Sequence, residues 1–236
     1  MWKRWCLVFG ISLSMMSLVL AAGEAVELTP AEPEKPKLGV DFSTTYTSRY
    51  MWRGYDVFDD HAALQPSATV DLFGSGFSIN AWGSMPMGSG YENLSELDYT
   101  IAYGASYFED EKYALDVSAN YIYYDFYKVK SKGADTEEVG ISFSLPKLLE
   151  IGGSALVPKY YVGKLWPVDG ADEIAGVYHS LGLSYDVTIP NTEQVLTFYS
   201  DINYNDGMFN ADSDWSHSTF GVSTGIPVGP VTITPF

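Results

Sequence analysis

The stretch LDYTIAYGASYF, from Leu97 to Phe108, has an apolar or aromatic side chain at every second position as far as Tyr107. The positions between them carry small side chains, namely Asp98, Thr100, Ala102, Gly104 and Ser106. A period of two is typical of a β-strand, because successive side chains of a strand point to opposite faces. One face is therefore large and apolar, and the other is small with hardly any Lys or Glu, which is unusual for a sheet face exposed to water.

The composition agrees with a protein made of many strands joined by turns. The chain has 236 residues, of which 22 are Gly and 18 are Tyr, and 15% are aromatic. Charged residues make up 18%, below the about 25% of a typical soluble domain. This length suits one domain, since a single barrel can use all of it. The net charge of −17 argues against a nucleic-acid partner, because neutralising phosphates requires a surface of Lys and Arg.

The first residues have the layout of a secretory signal peptide. Lys3 and Arg4 precede an apolar run that ends in small residues near Ala22, so we predict a cleaved signal peptide over residues 1–25. The alternative is a membrane-anchoring helix, but the run is borderline for the about 20 apolar residues of a span, and no basic patch follows it. Cys6 is the only cysteine, so the mature chain would have no disulfide and no thiolate zinc site.

Residues 26–37 form the next segment, with Pro30, Pro33 and Pro36 spaced by three among charged residues. Such a composition is typical of an extended, solvated segment. We predict a Pro-rich periplasmic linker here, followed by one outer-membrane domain over residues 38–236.

The alternation of the opening stretch recurs through the rest of the chain, without a convincing helical period. The predicted strand segments are 40–52, 67–73, 77–85, 97–108, 113–127, 137–145, 155–166, 177–187, 195–204, 219–228 and a last one from Val231. The connections between them alternate between short and long, with residues 146–154 a middling exception. Outer-membrane barrels have short periplasmic turns and longer outer loops.

These features together predict the fold class. We predict an all-β, transmembrane, antiparallel up-and-down β-barrel of about twelve strands, with lipid against the large face and a wet lumen against the small one. Unpaired backbone groups are not tolerated in lipid, so the sheet must close on itself. A secreted sandwich or jelly roll also alternates, but the sparse Lys and Glu and the strand lengths favour the barrel. Membrane barrels usually have an even number of strands, but eleven segments are predicted here. We therefore expect the barrel to be truncated near Phe236, short of twelve complete strands. Alternatively, ten strands close the barrel and the last segment is extra.

One hairpin also resembles a known family. The stretch SRYMWRGYDVFDDHAALQPSATVDL, Ser48 to Leu72, resembles the first hairpin of the TorF-type, or Gcw_chp, porin family of Gram-negative outer-membrane proteins. The residues that carry the resemblance are Ser48, Tyr50, Arg53, Gly54, Ala63, Gln65 and Pro66. The resemblance implies a small outer-membrane channel of unassigned substrate, and it carries no catalytic residues to transfer.

The predicted lumen contains more carboxylates than cations. By alternation, its charged residues are Asp41, Arg49, Asp71, Asp98, Asp116, Glu138, Lys159, Asp186 and Asp201. Carboxylates around a pore favour cations. We therefore predict a porin in the cell outer membrane that gives passive, weakly cation-selective diffusion of small solutes. Alternatively, these charges pair internally and plug a narrow barrel. The oligomeric state stays open.

Two other functions are alternatives to a porin. A non-conducting barrel that acts as a scaffold or adhesin through its acidic loops would be favoured by a lumen filled with Trp82, Tyr124 and Phe126. A barrel enzyme would need polar groups to converge near His179 or His217, but each neighbouring Ser points to the opposite face of the strand. Residues 201–212 match a calcium loop only in part. We predict no catalytic residue, no cofactor and no bound metal.

Overall fold

A computed structural model describes residues 37–130, 132–169 and 174–236, together with the backbone of residues 10–15. The predicted signal peptide and linker therefore lie outside the described residues, apart from the backbone of 10–15 and Lys37. Within the described part of the chain, no helix is long and apolar enough to cross a membrane.

The described chain is almost entirely strand and connection, which confirms the all-β prediction. Runs of alternating Tyr, Val, Ile, Phe and Thr fit the pleated surface of a strand. The strands are β1 (Gly10–Met15), β2 (Gly39–Thr47), β3 (Met51–Trp52), β4 (Tyr55–Asp56), β5 (Ala63–Asp71), β6 (Phe77–Pro86), β7 (Glu96–Tyr107), β8 (Leu115–Asp125), β9 (Thr136–Ser144), β10 (Leu149–Ile151), β11 (Ser154–Pro167), β12 (Gly176–Thr188), β13 (Val195–Asp206), β14 (Asp214–Ser223), β15 (Ile226–Val228) and β16 (Val231–Pro235).

The long strands form one antiparallel sheet with the predicted up-and-down order. Its strand order is β14-β13-β12-β11-β9-β8-β7-β6-β5-β2-β1-β16-β15, with β10 beside β11, while β3 and β4 form a separate hairpin. The two strands at the ends of this order, β14 and β15, are separated in the chain only by Thr224 and Gly225. Beside these two strands, the Thr224 amide donates a hydrogen bond of 3.3 Å to the carbonyl oxygen of Pro235 in β16.

The two ends of the sheet differ as predicted. The connections after β2, β6, β8, β11 and β13 emerge at one end, which we call the long-loop end. The connections after β5, β7, β9 and β12 emerge at the other, the short-turn end. In β7, for example, Glu96 lies at the long-loop end and Tyr107 at the short-turn end.

The two faces of the sheet also match the prediction. In β7, Ile101 is 54% exposed, and its neighbours on the same face, Tyr99 and Tyr103, are exposed too, whereas Glu96 and Asp98 on the opposite face are buried. We call these the apolar face and the small-polar face. Exposed residues of the apolar face include Phe42, Ile79, Tyr99, Ile101, Ile141, Phe143, Leu181, Leu183, Phe198, Ile202, Phe220 and Val222. At the long-loop end the sheet thus buries side chains of its small-polar face, while its apolar face is exposed.

The sheet curves around the connection between β2 and β5, residues 48–62, which we call the inserted loop. Tyr50 of this loop bonds to Glu96 of β7, and Arg53 bonds to Glu138 of β9. Gly54 of the same loop lies against His217 of β14, six strands from β7 in the sheet order. At about 4.8 Å per strand this separation is about 29 Å in a flat sheet, so one loop contacts both strands only if the sheet bends around it. The predicted continuous strand 40–52 is therefore wrong beyond residue 47.

Two further differences concern strand boundaries. The segment predicted at 219–228 is divided into β14 and β15, and β14 begins earlier, at Asp214. Its first residues are polar and pair with β13 across a register shift at Asn203, so they lack a clear alternation. A short strand, β10, pairs with β11 inside a predicted connection.

Candidate functional site

The inserted loop is anchored against the wall of the sheet by aromatic packing. Phe58 is fully buried, and its ring centroid lies 5.3 Å from that of Tyr50. Tyr50 also packs against Trp82 of β6, with 5.9 Å between ring centroids. The Tyr50 hydroxyl donates to Glu96 Oε1 at 2.7 Å. Buried aromatic rings contribute large apolar areas at low entropic cost, so this cluster fixes the base of the loop.

Arg53 lies at the tip of the inserted loop, and its guanidinium reaches Glu138 of β9 on the small-polar face of the sheet. Its φ angle is +49°, and Gly54 follows with φ of +86°, so the backbone makes a tight left-handed turn that favours Gly at the second position. The guanidinium carbon lies 4.7 Å from the Trp52 ring centroid and 4.5 Å from that of Tyr178. A cation between two aromatic faces is stabilised by their quadrupoles.

Glu138 on β9 is the partner of this guanidinium. Arg53 Nη2 donates to Glu138 Oε1 at 2.6 Å, and the Glu138 side chain is fully buried. The hydroxyl of Tyr124 donates to Oε2 at 3.0 Å, and that of Tyr161 also donates to this carboxylate. The carboxylate is thus surrounded by donors, as a buried charge requires.

The charge state of Arg53 follows from this pairing. Burial by itself would lower the pKa of Arg53, but the Glu138 carboxylate offsets this and the pKa is raised above its ordinary value. The guanidinium therefore stays protonated. Removing one partner of a buried ion pair typically costs about 3–5 kcal/mol, because it leaves the other charge uncompensated.

The space around the pair is filled by a packed cluster. Leu165 and Met208 are fully buried, and Tyr124 and Tyr178 are nearly so. Met208 is held by its own amide, which donates to Asn205 Oδ1 at 2.8 Å. The small-polar face is therefore occupied at the long-loop end.

Three predicted lumen residues lie at this end. Glu138 is the ion-pair partner, and Asp98 is buried with an Oδ1 atom that has no hydrogen-bond partner among the described residues. Arg49 lies in the inserted loop instead of a strand, with its Nε 3.5 Å from Asp56 Oδ2 and a second ion pair to Asp60.

The other predicted lumen residues lie lower on the small-polar face. Near the short-turn end, Asp41 is exposed, Asp71 accepts the backbone amide of a turn, and Asp116 and Asp186 accept hydroxyls from neighbouring strands. Lys159 and Asp201 line a cavity of about 270 Å³ midway along the strands. Because these groups are spread along the strands, they do not form a single cluster.

The sequence interpretation missed the role of Arg53, which entered only as part of the family motif. One feature of the sequence does indicate this role. Strict alternation is lost after residue 47, within an aromatic stretch that ends in Arg53 and Gly54. The aromatic residues named for a filled lumen do lie in or beside the packed clusters: Tyr124 is buried, and Trp82 and Phe126 pack against them.

Among the described residues, neither His179 nor His217 hydrogen-bonds to the serine that follows it in the chain. His179 lies on the apolar face with its Nδ1 2.7 Å from the Tyr160 hydroxyl. His217 lies on the small-polar face with its Nδ1 2.9 Å from Ser216 Oγ. The partial calcium-loop match begins inside β13, which pairs with β12 as far as Asp206, and within the described residues no group of three or more His, Cys, Asp or Glu could hold a metal ion.

Comparisons with protein-family models, curated proteins and solved structures found no match for this chain. The resemblance of Ser48–Leu72 to TorF-type porins therefore stays a prediction.

Proposed function

We propose that this chain is an outer-membrane β-barrel channel for small solutes, closed in this conformation by the inserted loop. The observation that carries the proposal is the inverted sheet, which exposes its large apolar side chains and encloses its small polar ones around the inserted loop.

The exposed face supports insertion into a membrane. Soluble monomers rarely expose contiguous apolar patches larger than a few hundred Å², whereas here the exposed side chains extend across neighbouring strands. β7 has 12 residues, long enough for the about 9–11 that a tilted strand needs to span a bilayer. Aromatic side chains contact one another on this face, as Tyr204 and Trp215 do, with ring centroids 5.6 Å apart. Such residues are typical of the interfacial girdle of a membrane barrel.

Closure of the sheet is the second part of the proposal. The strands at the two ends of the order are consecutive in the chain, and the ladder β15-β16-β1-β2 leads back to the start of the sheet. A closed sheet would leave no unpaired edge in lipid. β1 lies within the predicted signal peptide, so closure of the mature chain requires that β2 and β16 pair with each other.

The Arg53–Glu138 ion pair supports a closed state of the channel. It holds the tip of the inserted loop against the opposite wall, where packed aromatic rings occupy the lumen. Withdrawal of the loop would open a lumen whose charged groups are mostly carboxylates, including Asp41, Asp186 and Asp201. We therefore expect the open channel to prefer cations.

The packed long-loop end also favours a second function. If the inserted loop never leaves the lumen, the protein is a non-conducting barrel that presents its acidic loops as a scaffold or adhesin. The burial of Tyr124 and the packing of Trp82 against the loop are the observations that favour it.

The test combines membrane extraction with bilayer recording. We expect the full chain to stay with outer membranes after carbonate treatment, and the purified wild type to conduct rarely in planar bilayers. Arg53→Ala and Glu138→Gln should raise the open probability by at least about tenfold, because each removes one partner of the buried pair. The reversal potential in a salt gradient should show cation preference.

Arg49→Ala is the matched control, because it removes an arginine of the same loop that pairs with Asp60 near the surface. Anion preference would contradict the predicted selectivity. Absence of conductance from every variant would establish the scaffold alternative, and a carbonate-soluble protein would overturn the barrel itself.

A further inference from the structure

A cavity of about 270 Å³ lies on the small-polar face, beneath the packed cluster, between β9 and β13. Tyr161 connects the two regions, because its hydroxyl bonds to Glu138 while its ring lines the cavity. Pockets for drug-sized ligands measure about 300–1,000 Å³, so this cavity suits a smaller solute.

Two opposite charges flank the middle of this cavity. Lys159 of β11 and Asp201 of β13 are the register partners of Gly182 on either side. A Cβ atom built on Gly182 would lie 3.9 Å from the Lys159 Cβ and 3.7 Å from the Asp201 Cβ. Gly182, which has no side chain, therefore lies between the Cβ atoms of Lys159 and Asp201 and leaves the space between these two side chains unfilled.

These two charges are available to a ligand. The ion pairs among the described residues use Arg49, Arg53 and Lys132 as their cations, so Lys159 and Asp201 are not paired with each other. Asp201 accepts one hydrogen bond, from Asn203, which leaves its other oxygen without a protein donor in the described chain.

The groups around the charges are hydrogen-bonding and small. Ser180 and Ser184 lie on the same strand and face as Gly182, one step to either side, and both line the cavity. A solute that carries both an ammonium and a carboxylate would find an opposite charge for each group and hydroxyls for its remaining polar atoms. Charge-assisted hydrogen bonds are the stronger ones.

We propose that this cavity binds small zwitterions of the α-amino-acid class, an inference that rests on the proposed channel function and names its solute. Lys159 binds the carboxylate of the solute and Asp201 binds its ammonium group. Binding is weak enough to allow release, as transport through a channel requires.

The test measures binding in detergent micelles, so that it is independent of conductance. L-alanine is titrated into the purified full chain and followed by ligand-observed NMR. Propanoate, which lacks the ammonium group, and isopropylamine, which lacks the carboxylate, are titrated in parallel. We expect L-alanine to bind at least about tenfold more tightly than either, since each comparator loses one charge-assisted contact.

Four variants locate the site. Lys159→Gln and Asp201→Asn should each weaken L-alanine binding about tenfold, while Lys159→Arg should retain it. Gly182→Leu keeps both charges but fills the space between them, and should abolish binding. Lys164→Gln, on the face of β11 opposite to Lys159, is the matched control and should bind as the wild type does.

The proposal is overturned if propanoate binds as tightly as L-alanine, or if Lys159→Gln and Asp201→Asn bind L-alanine like the control. A variant that misfolds would lose its heat-modifiable folded band on gels. In that case L-alanine binding by Lys159→Arg, and the comparison of L-alanine with propanoate and isopropylamine, still test the site. A protein that conducts without binding L-alanine would refute the zwitterion site alone, and one that binds without conducting would refute the channel alone.

Discussion

Single glycines on the small-polar face control how the enclosed tyrosines lie. A Cβ atom at Gly221 would be 2.1 Å from Cζ of Tyr199, and one at Gly140 would be 2.1 Å from the hydroxyl oxygen of Tyr161. Both rings therefore lie flat against the wall, where a side chain on the neighbouring strand would displace them. The alternation of the sequence predicted small residues here, but not that they accommodate particular rings.

We predict that Gly221→Ala destabilises the folded protein by about 1–3 kcal/mol, as overpacked sites typically do. The added methyl group forces the Tyr199 ring off the wall and towards the cavity. The measurement is the temperature at which the heat-modifiable band is lost on gels.

Gly104→Ala is the control, because its Cβ would have no neighbour closer than 3.9 Å. Equal loss of stability in both variants would show that strand glycines matter generally and that contact with Tyr199 is not the cause.

Among the elements, the inserted loop covers the small-polar face at the long-loop end. Its tip depends on Gly54, where φ is +86° and a Cβ would lie 2.8 Å from Nδ1 of His217. The loop thus fits between β14 and the packed cluster only with a bare backbone at this position. Without the loop, the same sheet would enclose a wider and wetter space.

We predict that Gly54→Ala shifts the tip of the inserted loop and raises the open probability in planar bilayers. The open probability should rise, as it should for Arg53→Ala, because the displaced tip can no longer hold the Arg53 guanidinium against Glu138. The effect is read from single-channel records of the two variants at the same salt concentration.

Gly207→Ala provides the comparison for this experiment. Gly207 has nearly the same φ, +85°, in another long loop, but no atom lies within 4 Å of its Cβ position. If both variants change the open probability alike, backbone strain is responsible and the contact with His217 is not.

For the whole molecule, the proposal depends on which face meets lipid. Ile101 is 54% exposed on the apolar face, and Thr100 is its neighbour on the small-polar face of the same strand. In a soluble protein, replacing an exposed Ile by Lys would be harmless. In a membrane barrel, a Lys on the lipid face near the midplane costs about 2–4 kcal/mol.

We therefore predict that Ile101→Lys lowers the amount of folded protein in outer membranes, while Thr100→Lys retains it because its charge meets the wet lumen. The measurement is the folded fraction by heat modifiability after equal expression. A normal folded fraction for Ile101→Lys, with Thr100→Lys impaired, would mean that the faces are assigned the wrong way round.

The strands, their order and the two faces could be predicted from local pattern, because a period of two and short turns are properties of neighbouring residues. Contacts between distant residues could not be predicted in this way. Arg53 and Glu138 are 85 positions apart in the chain, and nothing in the spacing brings a loop arginine to a strand glutamate. That contact requires the sheet to curve, and curvature arises from the packing of all the strands together.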